Sequence, residues 1–301
     1  MALVMAINFL KYKKIYYLFS TALIVSSLAF LFIFGLRFGI DFLGGSILEV
    51  NFEKRPENQI IEAKLKDLNL GEVVLQSTGE NEIILRLKDI NEETHQQIIS
   101  RLGEISKIEE KRFESIGPTI GKELRQKTLM LVIASLLSLL IYIAVSFRKV
   151  NFPVSSWQYG IISILTLSFD VLITIGSLAL LGRFYNVQFS IPIVTALLTI
   201  LGYTINDKVI VFDRVRENLL RDRRDNFEDL VNRSLNETLG RSLSTGTCAL
   251  LVLFFIFLFG GETLKYFALT LIIGILAGTY SSLFLATPLL VSWLKWKERK
   301  R

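Results

Sequence analysis

Six long apolar runs, near residues 15 to 36, 128 to 147, 157 to 181, 190 to 212, 243 to 259 and 264 to 294, constrain this chain more than anything else in it. A helix needs roughly 20 apolar residues to cross the hydrocarbon core of a bilayer, and each run is about that long. A chain of 301 residues that is 51% hydrophobic, with a mean hydropathy of +0.47, is too apolar to keep a water-soluble surface wet. The expected class is a polytopic α-helical membrane protein. A net charge of +6 would suit nucleic acid, but no recognition motif accompanies it, and in a membrane protein a basic excess reports orientation. No nucleic-acid partner is expected. The first run follows Lys11, Lys13 and Lys14 as a secretory signal would, yet it is too long for one and no small-x-small cleavage pattern follows, so it is expected to remain as a helix. The single cysteine, Cys248, excludes an intramolecular disulfide and a Cys-rich metal site.

Lys11, Lys13, Lys14, Arg148, Lys149, the arginines between 213 and 240, and Lys295, Lys297, Arg299, Lys300 and Arg301 share one side if six spans are counted. The short loops opposite offer only Arg183 and Lys265. The positive-inside rule then puts both termini in the cytoplasm. The expected organisation is a cytoplasmic N-terminus (1–14), spans at 15–36, 128–147, 157–181, 190–212, 241–260 and 264–294, an external domain (37–127), a cytoplasmic charged loop (213–240) and a cytoplasmic tail (295–301).

The external segment changes hydrophobic period in an ordered way. Leu48, Val50 and Phe52 alternate as in a strand, whereas Ile61, Leu65 and Leu68 share a helix face. Val73 to Leu75 and the alternating Ile83, Leu85 and Leu87 flank a turn at 77 to 79; Ile98, Leu102 and Ile105 mark a second helix, and 107 to 115 a weaker strand. The order β-α-β-β-α-β predicts an α+β domain of ferredoxin-like fold between the first two spans. His95, the only histidine, sits in a polar stretch and reads as an exposed surface residue. The charged loop reads as a helical hairpin or surface helix.

Ionisable side chains inside spans are the sharpest chemical signal, because each costs roughly 2.5 to 3.5 kcal/mol at a helix centre. Asp170 falls in the middle of the third run, Asp207 in the cytoplasmic half of the fourth, and Arg241 opens the fifth. At a rise of about 1.5 Å per residue, Asp207 lies about 9 Å and Arg241 about 8 Å inside the membrane, so the two are expected to meet. An Asp whose protonation responds to a mobile Arg is what a proton relay requires; a static buried pair that fixes helix register is the plainer alternative. Gly274 and Gly278 form a GxxxG in the sixth run and read as packing. The stretch Gly117 to Glu123 lacks the length and the Ser or Thr of a phosphate loop, so no nucleotide site is expected.

Read together, these motifs resemble the SecD/SecF family of protein-export subunits. Gly39-Ile40-Asp41-Phe42-Leu43-Gly44-Gly45 is similar to that family's Asp-Phe-x-Gly-Gly signature, and Ile116-Gly117-Pro118 with Gly121 to Leu124 is similar to its Val-Gly-Pro segment. Gly202 to Asn206-Asp207, continued by Asp213, Arg214, Arg216, Glu217 and Asn218, and then Asn236 to Ser242, resemble its most recognisable stretches. The resemblance implies membership of the resistance-nodulation-division superfamily and a SecF-type role. It implies pairing with SecD in a bundle of twelve helices that uses the proton motive force to assist late translocation and release through SecYEG after SecA has acted. YidC and YajC are implied as further partners, together with exported polypeptides and membrane lipid. No cofactor and no catalytic or metal residues are implied; the coupling ion is the proton, or sodium as in some marine relatives. Carried over by motif, Asp207 and Arg241 are the coupling residues. Phe169 stands where the family usually has His, and Lys208 where it often has Ser or Thr. Lys208 is expected either to snorkel toward the cytoplasmic surface or to fold back on Asp207.

The expected function is therefore a non-enzymatic, gradient-coupled accessory of protein export in the bacterial plasma membrane; the alternative is a structural scaffold without ion coupling. An intramembrane aspartyl protease built on Asp170 and Asp207 is disfavoured because the two lie at different depths and lack a Gly-x-Gly-Asp context. An independent efflux pump is disfavoured because superfamily exporters carry two six-helix repeats in one chain.

Overall fold

The computed structural model describes residues 7–71, 73–77, 79–146, 156–222 and 226–299. Arg148, Lys149, Lys300 and Arg301, used above for orientation, and Thr78 of the expected turn lie outside the described residues. In chain order the elements are α1 (Lys13–Phe34), α2 (Ile40–Leu43), β1 (Gly45–Phe52), α3 (Asn58–Leu65), β2 (Val74–Ser77), β3 (Glu82–Leu87), α4 (Glu92–Gly103), β4 (Ile108–Ile116), α5 (Pro118–Ser146), α6 (Ser156–Tyr185), α7 (Ile191–Arg221), α8 (Phe227–Phe259), α9 (Glu262–Ser281) and α10 (Thr287–Arg299), the last two joined by a π-helical turn (Ser282–Ala286). The chain forms two compact units, Phe38–Leu131 with Gln188–Ile191, and Met1–Arg37, Val132–Val187 and Pro192–Arg301.

The first unit holds a four-stranded antiparallel sheet in the order β2-β3-β1-β4. Strand β1 is central, pairing Leu48 with Leu85 on one side and with Phe113 on the other. Its alternation buries Leu48, Val50 and Phe52, which meet Ile61 and Leu65 of α3, Ile83, Leu85 and Leu87 of β3, and Ile98 and Leu102 of α4 in one core. That is the ferredoxin-like arrangement expected from the order of elements.

His95 corrects its expected exposure. It is only 4% exposed, with its ring stacked on Phe113 at 3.9 Å and its nitrogens 3.1 Å from Glu92 and 3.3 Å from Glu110. The cause is helical phase: residues 95, 98 and 102 share a face of α4, and His95 continues the apolar stripe of Ile98 and Leu102 by one turn.

Six helices in the described residues are long and apolar enough to cross a membrane. The helix that holds the second run starts at Pro118, ten residues ahead of that run, because proline at the first helical position has no orphan N–H to satisfy and its fixed φ suits a helix start. The charged segment is helical on both sides, in keeping with the hairpin reading. Helix α7 runs through position 213 to Arg221, and α8 starts at Phe227, where the Asn226 side chain accepts a hydrogen bond from the Glu228 N–H. The GxxxG glycines pack α9 on α7: a Cβ on Gly274 would stand 2.1 Å from Ile200 Cδ1, and one on Gly278 1.9 Å from Thr204 Cγ2. Two small residues a turn apart on α9 thus face two β-branched residues a turn apart on α7, and the helices approach closely there.

Candidate ion-coupling site

The residues of the first two motifs, distant in sequence, come together in the sheet-bearing unit. Gly44 and Gly45 have φ of +80° and +135°, and a Cβ on them would lie 2.9 Å from Pro118 Cα and 2.7 Å from the Leu87 carbonyl oxygen. Gly121 is equally tight against the Gly44 nitrogen, at 3.0 Å, while Gly117 comes next to Asp89. Gly44 and Gly121 are required by close backbone approach at the start of α5, and Gly45 by its approach to β3. Phe42, 5% exposed, packs against Phe38 and Phe189. The Gly39 N–H donates to the Phe189 carbonyl, and Asp41 Oδ2 accepts from the Ile191 N–H at 2.8 Å.

Ile191 is the first residue of α7, so Asp41 stands where a capping side chain would, satisfying an orphan donor and placing negative charge at the positive end of the helix. Asp41→Ala is expected to cost about 0.5–2 kcal/mol of stability, with Asp41→Asn recovering most of it, as read by thermal unfolding of the purified chain.

Helix α7 carries the third motif, whose residues divide by face. Asp207 is 2% exposed and its Oδ2 has no hydrogen-bond partner. Arg241, in the interior of α8, acts on Asp207 electrostatically, but the two are not within the 4.0 Å of an ion pair. The expectation that they meet is corrected to proximity: Arg241 is exposed on a face of α8 that the chain itself leaves uncovered. Gly202 and Asn206, one turn apart on α7, are exposed as well.

Asp170 and Lys208 supply the contact that sequence reasoning did not anticipate. Both are 0% exposed, and Lys208 Nζ donates to Asp170 Oδ2 at 2.6 Å. Lys208 therefore neither snorkels nor folds back on Asp207. Successive helical residues point about 100° apart, so a lysine beside Asp207 faces a different neighbour, and that neighbour is α6. The signal was present: a lysine within a span needs a carboxylate, and Asp170 was the other one available. Phe169 packs into an apolar cluster with Ile173 and Leu285.

Beyond Asp207 the motif becomes a polar seam between α7 and α8. Arg214 reaches Glu237 and Glu217, each at 2.6 Å, and Arg216 reaches Asp213 at 3.4 Å. The Asn218 amide, on a 1% exposed side chain, donates to Ser234 Oγ at 2.9 Å and Glu237 Oε2 at 2.8 Å. Arg233 closes the network on Glu237 and Asp222. Glu237 is thus the hub, and the charged motif residues hold two helices in register. At the same end of α8, Glu228 accepts both Lys13 of α1, at 3.1 Å, and Lys295 of α10, at 2.7 Å.

Comparison with known proteins identifies the family of the chain. Residues 96–296 match the family described as protein export membrane protein SecD/SecF, C-terminal, and residues 29–54 match the SecD/SecF GG motif. Protein translocase subunit SecF of Thermobaculum terrenum is 38% identical, covering 95% of this chain and 94% of its own length. That of Rickettsia conorii is 33% identical, covering 98% and 94%. Among solved structures, SecDF of Thermus thermophilus, a translocon-associated membrane protein, superposes with a TM-score of 0.86 at 33% identity over 100% of this chain. This chain spans 40% of the length of that one. SecDF in a super-membrane-facing form matches with a TM-score of 0.72 at 32% identity.

Proposed function

The chain belongs to the SecD/SecF family of protein-export membrane proteins, and from that premise we propose that it works as a SecF-type subunit beside SecD, spending the proton motive force on late translocation and release of exported proteins. Asp207 carries the reading. A carboxylate that is 2% exposed within a membrane span, with one oxygen unpartnered and an arginine in electrostatic range, is expensive to keep for architecture alone. Such a group takes up and releases a proton as the arginine approaches and withdraws. Each charge crossing the membrane field supplies about 2.3 kcal/mol per 100 mV, so a few protons suffice for a conformational step.

The role is non-enzymatic and needs no cofactor beyond the coupling ion. Both termini face the cytoplasm, and the sheet-bearing unit faces the opposite side, where it meets the emerging chain. SecD covers the face that presents Gly202, Asn206 and Arg241, because an arginine and an asparagine facing hydrocarbon would be costly. SecYEG is the channel served, with YidC and YajC as further partners. A scaffold without ion coupling is the second reading, favoured by the closed Asp170–Lys208 pair, which has the look of a fixed structural element.

The test is release of a reporter protein from membrane vesicles containing this chain and its SecD, with the proton gradient intact or collapsed by a protonophore. Gradient-dependent release that vanishes with the protonophore is expected. Release that is equal in both conditions leaves the scaffold.

A further inference from the structure

The surroundings of Asp170 have the chemistry of a cation pocket. Its Oδ1 has no hydrogen-bond partner, and Thr204, 1% exposed, and Ser281, fully buried, both present hydroxyls that act on the carboxylate. The Ser281 hydroxyl donates to the Gly278 carbonyl at 3.1 Å. The absence of a side chain at Gly278 lets α9 close over the site, since a Cβ there would stand 3.6 Å from Asp170 Oδ2. One carboxylate and two hydroxyls make a set of hard oxygen donors, buried and within a membrane span. A single negative charge buried there is matched by a single positive charge, that of a monovalent cation. The cation present instead is the ammonium of Lys208, a donor of three hydrogen bonds that accepts none.

We propose that Lys208 is a tethered cation: its ammonium fills the place of a dissociable monovalent cation at Asp170, excludes sodium from that carboxylate, and leaves Asp207 as the carboxylate that exchanges an ion. The argument is one of charge and space. A second cation at Asp170 would sit within a few ångströms of Nζ, and unscreened like charges at that distance repel by several kcal/mol even at an effective dielectric constant of about 20. Because the ammonium is anchored to α7, it neutralises Asp170 without leaving, whereas a free ion would come and go with the sodium gradient. Lys208 is a specificity-determining residue in this account. The clause on Asp207 rests on the coupling reading above; the exclusion of sodium does not.

The experiment measures the melting temperature of the full-length chain, purified with SecD, in sodium, potassium or choline chloride at equal ionic strength. Wild type is expected to melt at the same temperature in all three. Lys208→Thr, which empties the pocket and adds a hydroxyl, is expected to gain a saturable, sodium-specific rise of roughly 3–6 °C at tenfold or greater excess over its dissociation constant. Asp170→Asn/Lys208→Thr is expected to show no such rise. Sodium-specific stabilisation of wild type overturns the proposal, as does a folded Lys208→Thr that is indifferent to sodium. If Lys208→Thr does not fold, Lys208→Gln, which keeps most of the stem and removes the charge, is read in the same assay with the same two outcomes. No secretion is measured, so a failure here is distinct from a failure of gradient coupling in vesicles.

Discussion

Asp207→Asn is expected to remove the whole of the gradient-dependent increment in reporter release while leaving the complex with SecD assembled. The substitution is nearly isosteric and replaces a titratable group with one that neither binds nor loses a proton near neutral pH. Structural damage should be small, because Asp207 Oδ2 has no hydrogen-bond partner to lose and Asp207 is not ion-paired with Arg241. Assembly is read by co-purification of SecD and coupling by release with and without the gradient, so the two effects separate. Stimulation at the wild-type level in the variant would show that Asp207 does not couple and would move the function to scaffolding. Loss of SecD from the variant would show a structural role instead.

A second large effect is expected at Asp170, in stability. Asp170→Asn strands the Lys208 ammonium at 0% exposure, and breaking a buried pair by removing one partner costs about 3–5 kcal/mol. Asp170→Leu/Lys208→Met removes both charges and fills the space with apolar atoms, which is expected to recover most of that loss. Thermal unfolding of Asp170→Leu, Lys208→Met and the double variant completes a double-mutant cycle. A coupling energy near zero would mean that the 2.6 Å contact does not contribute to the fold.

The sequence carried the fold further than the site. Apolar runs of span length and the switch from period two to period 3.6 located the membrane helices and the sheet, since each depends on residues that are neighbours along one element. Pairings between elements were harder. Asp170 and Lys208 are separated by 38 positions, and periodicity gives the face of a helix but not the depth at which its neighbour presents a partner. The same reason hid the cap of α7 by Asp41, 150 positions from Ile191. His95 was different: its phase on α4 was legible, and the polar residues around it outweighed that phase in the reading. Arg241 acts on Asp207 without pairing with it, and its exposure on α8 was not legible because a motif names a residue but not what covers it.

Glu228 ties three helices together through one carboxylate. It accepts a lysine from the first transmembrane helix and a lysine from the last, so α1 and α10 are both pinned to the start of α8. The two lysines are not equivalent to the one acid: loss of either lysine frees one helix and leaves the other held, whereas loss of Glu228 frees both at once and leaves two like charges facing each other.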